Sequence, residues 1–202
     1  MARNLRPTCK TCRRIGESVC GKQKCAVIRR PFIPGQHGPK QGNRARLTEY
    51  GIQLREKQKA KALYGILEKQ FSNYFKKASE ASGNTASKFV ELVETRLDNA
   101  VYRAGFADTR RQARQMVTHG HFLVNGRRCD IPSRAVRIGD VLELRPKSKT
   151  SNLFTERQVP ETVAPWLSVD RSNWKATVTA LPAQEDFEQS VAMNLIIEFY
   201  SR

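Results

Sequence analysis

Thr109-Arg110-Arg111-Gln112-Ala113-Arg114-Gln115-Met116-Val117-Thr118-His119-Gly120-His121-Phe122-Leu123-Val124-Asn125-Gly126-Arg127-Arg128 is the stretch on which the reading of this chain turns. Thr109 with Gln112 three residues later is a capping-box start, and Gly120 is a helix stop. Between them Ala113, Met116 and Val117 share one helical face, while Arg111, Arg114 and Thr118 share the other. Phe122 to Val124 predicts a strand that runs into Asn125-Gly126, the dipeptide best suited to a type I′ turn. Arg127 and Arg128 leave that turn. Arginines on a short helix and more beside a hairpin make a preformed guanidinium cluster, which suits the charged, shaped backbone of folded RNA. His119 and His121 flank the glycine stop. They read either as groups that stack on or hydrogen-bond RNA, or as caps of the helix C-terminus.

Outward from this stretch, charge is the next signal. The chain has 202 residues, a net charge of +17 and a pI near 10.1, the footprint of a nucleic-acid partner. Residues 1–46 hold twelve Lys or Arg against the single acid Glu17, a surplus of +11, and the remaining residues carry +6. The N-terminal fifth therefore reads as a basic arm that repels itself unless a polyanion neutralises it. Studded with Pro7, Pro31, Pro34, Pro39 and glycines, it shows neither helical nor strand periodicity and is expected to have no core of its own. No apolar run approaches the roughly 18 residues of a membrane span, and the first eight residues contain no apolar signal region.

After the arm, Thr48 is a plausible N-cap of a helix running to about Tyr64, broken by Gly65. Leu67, Phe71, Tyr74, Phe75 and Ala78 form the apolar stripe of a second helix, so these aromatics are expected in the core. Thr85 can cap a third helix carrying Phe89, Val90 and Val93, and another around Arg96 presents Leu97, Ala100, Val101 and Ala104 before Gly105. Val136, Ile138, Val141, Leu142 and Leu144 are strand-like around the Gly139-Asp140 turn, 160–165 reads as a loop, and Lys175 to Leu181 as a further strand. The tail from Val191 to Tyr200 is apolar enough to be buried, with helix or strand left open. Phe32 and Trp166 are less patterned and are read as contacts to RNA or to a protein neighbour.

Cys9-x2-Cys12 and Cys20-x4-Cys25 put four of the five cysteines within seventeen residues. Two close pairs joined by a short loop match the way tetrahedral zinc is held, each pair chelating from one turn. An iron–sulfur cluster would use the same four thiolates. Lys10, Arg13, Arg14, Lys22 and Lys24 surround them and are expected to lower the thiol pKa values. A metal would fold an arm that cannot otherwise bury a core. Cys129, beyond the hairpin, reads as a small core residue. No GK[ST] follows the loop of Gly35, Gly38 and Gly42, and His37 has no acid or nucleophile nearby. The chain is read as a non-enzyme with no small-molecule substrate.

The helix-strand-hairpin pattern resembles the small RNA-binding module of the S-four family. Pro34-Gly35-Gln36-His37-Gly38, Leu54-Arg55-Glu56-Lys57-Gln58-Lys59, Arg96-Leu97-Asp98-Asn99, Ile131-Pro132-Ser133 and Glu198-Phe199-Tyr200-Ser201-Arg202 extend the likeness along the whole chain to the bacterial-type S-four family of small-subunit ribosomal proteins. The resemblance implies an α+β fold: a basic arm over 1–46, a mainly helical domain of 47–92 plus the returning 183–202, and an inserted domain over 93–182 whose RNA-binding module covers about 95–157, helices packed on an antiparallel sheet. It implies 16S rRNA as partner, with nucleation of 5′-domain assembly, a neighbouring protein S-five, a place near where mRNA enters the subunit, and an influence on translational accuracy. The expected location is the small ribosomal subunit in the cytoplasm, with an organellar ribosome as the alternative.

Phosphate-gripping residues expected in the module are Arg110, Arg111, Arg114, Arg127, Arg128 and Arg134. In the helical domain they are Arg55, Lys57, Lys59 and Lys61, and in the arm Arg3, Arg6, Arg13, Arg14, Arg44 and Arg46. A structural salt bridge is the alternative for Arg110, and likewise for Arg96 and Arg103, which can pair with Asp98 or Glu94. The rival function is an RNA-modifying or RNA-regulatory protein carrying the same module.

Overall fold

A computed structural model describes residues 7–22, 24–38, 48–155 and 163–202, in two compact units: Met1–Ser82 with Glu188–Arg202, and Gly83–Phe187. The helices are α1 (Thr8–Ile15), α2 (Ala26–Arg29), α3 (Glu49–Tyr64), α4 (Glu68–Glu80), α5 (Thr85–Glu94), α6 (Leu97–Arg103), α7 (Arg110–Thr118), α8 (Pro146–Lys149), α9 (Asn152–Thr155) and α10 (Met193–Tyr200). The strands are β1 (Phe122–Val124), β2 (Arg127–Arg128), β3 (Val141–Leu144), β4 (Leu167–Asp170) and β5 (Lys175–Val178). The fold class is α+β. Among the described residues no helix is long and apolar enough to cross a membrane.

In the first unit α3 and α10 pack side by side. Thr48 caps α3, its hydroxyl accepting from the Gly51 N–H at 3.2 Å, and Gly65 ends it in the left-handed conformation. Phe71, Phe75 and Ala78 are the buried stripe of α4, and Tyr200 stacks on Phe75 with ring centroids 4.7 Å apart. The apolar tail is thus a helix. The arm departs from expectation. Cys12, Ile15, Val19 and Cys25 are buried together, with Ala62 and Leu63 of α3 against them, so residues 7–38 do own a small core. Its apolar residues are too widely spaced to show periodicity, because α1 and α2 are only eight and four residues long.

The second unit holds a five-stranded antiparallel sheet in the order β2-β1-β3-β5-β4. Leu97, Ala100 and Val101 of α6, and Ala113, Met116 and Val117 of α7, are buried in one core with Phe122, Val124, Leu142, Leu144, Ala176 and Val178 of the sheet. Cys129 and Trp166 belong to that core too; Trp166 is 2% exposed, so the expected RNA or protein contact at this residue is corrected. The two boundaries drawn from the sequence at 93 and 182 also move. α5 packs on α6 and on a 3-10 turn at Gln184–Asp186, and Arg103 donates to the Asp186 carbonyl at 2.6 Å. Residues 83–92 and 183–187 therefore belong to the second unit. Asn84, not Thr85, caps α5, accepting from the Ala86 N–H at 2.9 Å. Val136 and Ile138 lie outside the strands, and β4 was not foreseen.

Candidate nucleic-acid surface and cysteine centre

Cys9 and Cys12 stand three apart on α1 and so share one helical face. Gly16, at φ 91°, ends the helix and starts the loop that brings Cys20 back, and Cys25 is the N-cap of α2. The Sγ atoms of Cys9, Cys20 and Cys25 lie within 4.8 Å of one another, and Cys12 hydrogen-bonds with both Cys25 and Cys20. Ligands around a tetrahedral zinc with Zn–S near 2.3 Å sit about 3.8 Å apart, so this donor set fits a metal of that kind. All four are free thiols. Burial pushes the Cys12 thiol up to about 12, only partly offset by a hydrogen bond from the Val19 backbone. Burial also raises Cys25, but the Val27 backbone and the side chains of Ser18, Cys20 and Cys12 hydrogen-bond to it and bring it down to about 7. Backbone and neighbouring thiols, more than the surrounding lysines and arginines, lead that lowering.

The basic residues assigned to the first unit behave differently from expectation. Lys57 is 6% exposed, bonds Glu68 at 2.7 Å and lies 4.3 Å from the Phe199 ring centroid. Lys59 is 3% exposed and pairs with Glu17 at 2.5 Å. Arg55 donates to the Ile15 carbonyl, and Lys61 pairs with Glu68 at 2.8 Å. These four hold the arm and helices together; for Lys57 and Lys59 burial rules out a surface role, which corrects the sequence reading. Burial raises the Glu68 carboxyl, but hydrogen bonds from Lys57 and Lys61 outweigh it and hold the group at about 2. In the arm, Arg13 donates to the Phe32 carbonyl at 3.0 Å with its guanidinium 4.7 Å from the Phe32 ring centre, which gives Phe32 an internal partner. Arg14 is exposed. Arg3, Arg6, Arg44 and Arg46 lie outside the described residues.

In the second unit the Thr109 hydroxyl accepts from the Gln112 N–H at 3.2 Å and caps α7. Asn125 and Gly126 both have positive φ, 52° and 75°, as a type I′ turn demands. The Asn125 side chain spans to the next turn, donating to Asp140 and accepting from the Val141 N–H, each at 2.8 Å. β2 pairs with β1 as Leu123↔Arg128 and Val124↔Arg127, and both arginines are exposed. Gly120 has φ +72°, and a Cβ built there would stand 2.3 Å from Arg128 Nε: the guanidinium rests directly on the glycine. Of the module residues expected to meet phosphate, Arg127, Arg128 and Arg134 are exposed, as are Arg111 on α7 and His119 at its end.

Arg110 and Arg114 belong to a different assembly. Asp98 accepts from Arg96 at 3.0 and 2.6 Å, and Arg114 stands 3.5 Å away with its side chain only 12% exposed. Glu94 accepts from Arg103 at 2.9 and 2.8 Å and from Asn99 at 2.7 Å. Arg110 donates to Asn99 at 2.9 Å and lies 4.5 Å from the Tyr102 ring centre. The Arg96 and Arg103 pairings match expectation. For Arg114, helical phase pointed to solvent, and the carboxylate of α6 draws it inward. His121 is a similar case: half-buried, it shares a hydrogen with Ser148 Oγ at 2.9 Å, and burial, then the charges of His119 and Arg145, lower its pKa below the usual 6.5. Ser148 and Arg145 were not foreseen as its neighbours. Only the register Phe122↔Leu144 brings residue 145 beside it, and no local signal carries that.

A basic hairpin and helix held on an antiparallel sheet in one unit, and a thiol cluster in the other, are the build of a structural RNA-binding protein of the ribosomal kind. Residues 3–94 match the family described as the ribosomal protein S4/S9 N-terminal domain, and residues 95–142 match the S4 domain. Over the whole of both chains, the sequence is 51% identical to small ribosomal subunit protein uS4 of Persephonella marina, 50% to that of Gloeobacter violaceus and 48% to that of Syntrophomonas wolfei. The chain belongs to the bacterial-type uS4 family of small ribosomal subunit proteins, a structural family rather than an enzyme family.

Proposed function

We propose that this protein grips 16S rRNA through phosphates as an early-binding component of the small subunit, nucleating 5′-domain assembly in the bacterial cytoplasm. The observation that carries the reading is the exposed, preorganised pair Arg127 and Arg128 on a hairpin whose Asn125 bonds the next turn, with Arg128 seated on Gly120 and Arg134 exposed in the loop that follows. Such forks suit phosphate oxygens and shape more than base edges. Neighbouring protein S-five and the region where mRNA enters complete the proposed surroundings, and an influence on accuracy follows from that place. The test is equilibrium binding of the full chain to a 5′-domain rRNA fragment across a salt series. Six to ten phosphate contacts would cost roughly three to five decades of affinity between about 50 and 200 mM salt, and an affinity nearly independent of salt would refute phosphate gripping.

Cys9, Cys12, Cys20 and Cys25 would hold zinc, whose proposed role is structural: it ties α1, the following loop and the start of α2 into one knuckle. The spacing of three Sγ atoms and the contacts of Cys12 support this.

A further inference from the structure

Among the described residues of the first unit Lys59 is the most thoroughly enclosed ammonium, and the sequence placed it on the surface. At 3% exposure it has partners from three separate segments. From the cysteine loop, Glu17 lies 2.5 Å from its Nζ; from its own helix, Glu56 lies 4.0 Å away; from the C-terminal return, the Ser190 carbonyl accepts its hydrogen bond. Glu56 grips the same return two residues further on, its carboxylate accepting from the Ala192 N–H at 3.2 Å. Ala192 is the N-cap of α10. On the other side, Glu17 stands between Cys12 and Cys20 and next to Ser18, whose hydroxyl is 3.9 Å from Cys20 Sγ. The loop that closes the thiol cluster and the turn that launches the last helix are therefore fastened to one buried charge.

We infer that Lys59 and Glu17 are positioning residues that couple metal loading of the cysteine knuckle to the docking of α10. The inference rests on the metal reading above. With the metal bound, the loop 16–20 is held in place, Glu17 faces Lys59, and the ammonium is fully compensated as it hands a hydrogen to Ser190. Without the metal the knuckle keeps only a four-residue apolar cluster of its own, Cys12, Ile15, Val19 and Cys25. As that loop loosens Glu17 leaves, and a desolvated ammonium short of its closest counter-charge must draw in water or shift. Either response loosens the Ser190–Ala192 turn. Linkage makes the effect reciprocal: anything that holds α10 in place tightens metal binding by the same factor.

The effect would reach a surface that matters. α10 supplies Phe199 and Tyr200, which cover Lys57, and Glu198, which accepts from Gln53 at 2.9 Å. Tyr200 also donates to Glu68 at 3.0 Å. Undocking α10 would uncover Lys57 and take the Tyr200 hydroxyl from Glu68, changing the charge that the α3–α4 face presents.

The experiment is hydrogen exchange on the full chain, zinc-loaded and after chelation, for wild type and Glu17→Ala. Glu17 is 55% exposed, so its loss spares the core. In wild type, chelation is expected to speed exchange in α1 and α2 and also in α10, the latter by about fivefold or more, the low end of ordinary couplings. In Glu17→Ala, chelation should still free α1 and α2 while exchange in α10 no longer depends on metal; Glu17→Asp should restore the dependence. A merely structural glutamate would raise α10 exchange equally with and without metal, and that outcome overturns the coupling. So does wild-type α10 exchange indifferent to chelation while α1 and α2 open. If elemental analysis finds no metal and chelation changes nothing anywhere, the metal reading falls and takes the coupling with it. Lys59→Met, with metal affinity as readout, provides a second measure; an affinity equal to wild type would count against the link.

Discussion

Removing the Asp98 carboxylate should unfold the second unit more readily than any change to its surface arginines. Asp98 receives two bonds from Arg96, at 3.0 and 2.6 Å, accepts from the Asn99 N–H at 3.0 Å, and lies 3.5 Å from Arg114. The side chains of Arg96 and Asp98 are 1% and 5% exposed, so water cannot replace the lost partner without opening the helix pair. Asp98→Ala takes its paired carboxylate from a buried guanidinium, a change that costs about 3–5 kcal/mol, out of the roughly 5–15 kcal/mol that keep a domain folded. Asp98→Asn keeps an acceptor but loses the charge, for about 1.5–3 kcal/mol. The assay is urea unfolding followed by tryptophan fluorescence: the only two tryptophans, Trp166 and Trp174, both lie in this unit, so the signal reports it selectively. At about 4–8 °C per kcal/mol, the corresponding thermal shift for Asp98→Ala is about 12–40 °C. Lys88→Ala, which breaks a half-exposed pair with Glu91, should cost less than about 1 kcal/mol and serves as reference. An Asp98→Ala protein within about 1 kcal/mol of wild type would refute the claim that this network is structural.

Charge reversal should separate the module's arginines: Arg127→Glu with Arg128→Glu weakens binding to the 5′-domain fragment with little change in the urea midpoint, whereas Arg114→Glu, facing Asp98, lowers the midpoint. Gly120→Ala forces a side chain into φ +72° and against Arg128, so it should cost about 1–2 kcal/mol and also weaken rRNA binding by displacing that guanidinium. Cys9→Ser with Cys12→Ser should abolish the zinc found by elemental analysis of the parent protein; a parent protein without metal refutes the zinc reading. Glu68, held at about 2 from an ordinary 4.5, contributes stability that is complete above the unfolded value and lost as pH falls from 4.5 towards 2. Because its side chain is 45% exposed, solvent screening reduces the contribution to about 1–2 kcal/mol, and the gap between wild type and Glu68→Gln in urea unfolding followed by far-UV circular dichroism, since the first unit holds no tryptophan, should narrow over that window.

What could be read from the chain alone is what near neighbours decide. Thr109 caps α7 because a hydroxyl within a turn of a free N–H has little choice, although the Gln112 side chain accepts from the Asp108 N–H and leaves the capping box open, and Asn125-Gly126 turns because both residues tolerate positive φ. The thiol spacing likewise marked a candidate cluster before any fold, though it is the loop after Gly16 that carries Cys20 and Cys25 back to Cys9. The fate of each charge was not visible in this way. Lys57, Lys59 and Arg114 sit at positions where helical phase and composition suggest solvent, and each is drawn in by a carboxylate remote in sequence or on another helix: Glu68, Glu17 and Asp98. Unit boundaries moved for the same reason, since α5 is claimed by α6 and the 184–186 turn. Local sequence determines conformation because it acts through bonds one turn long. Whether a cation meets RNA or a carboxylate of its own chain depends on which surfaces the folded chain brings together, and that the tertiary structure alone decided.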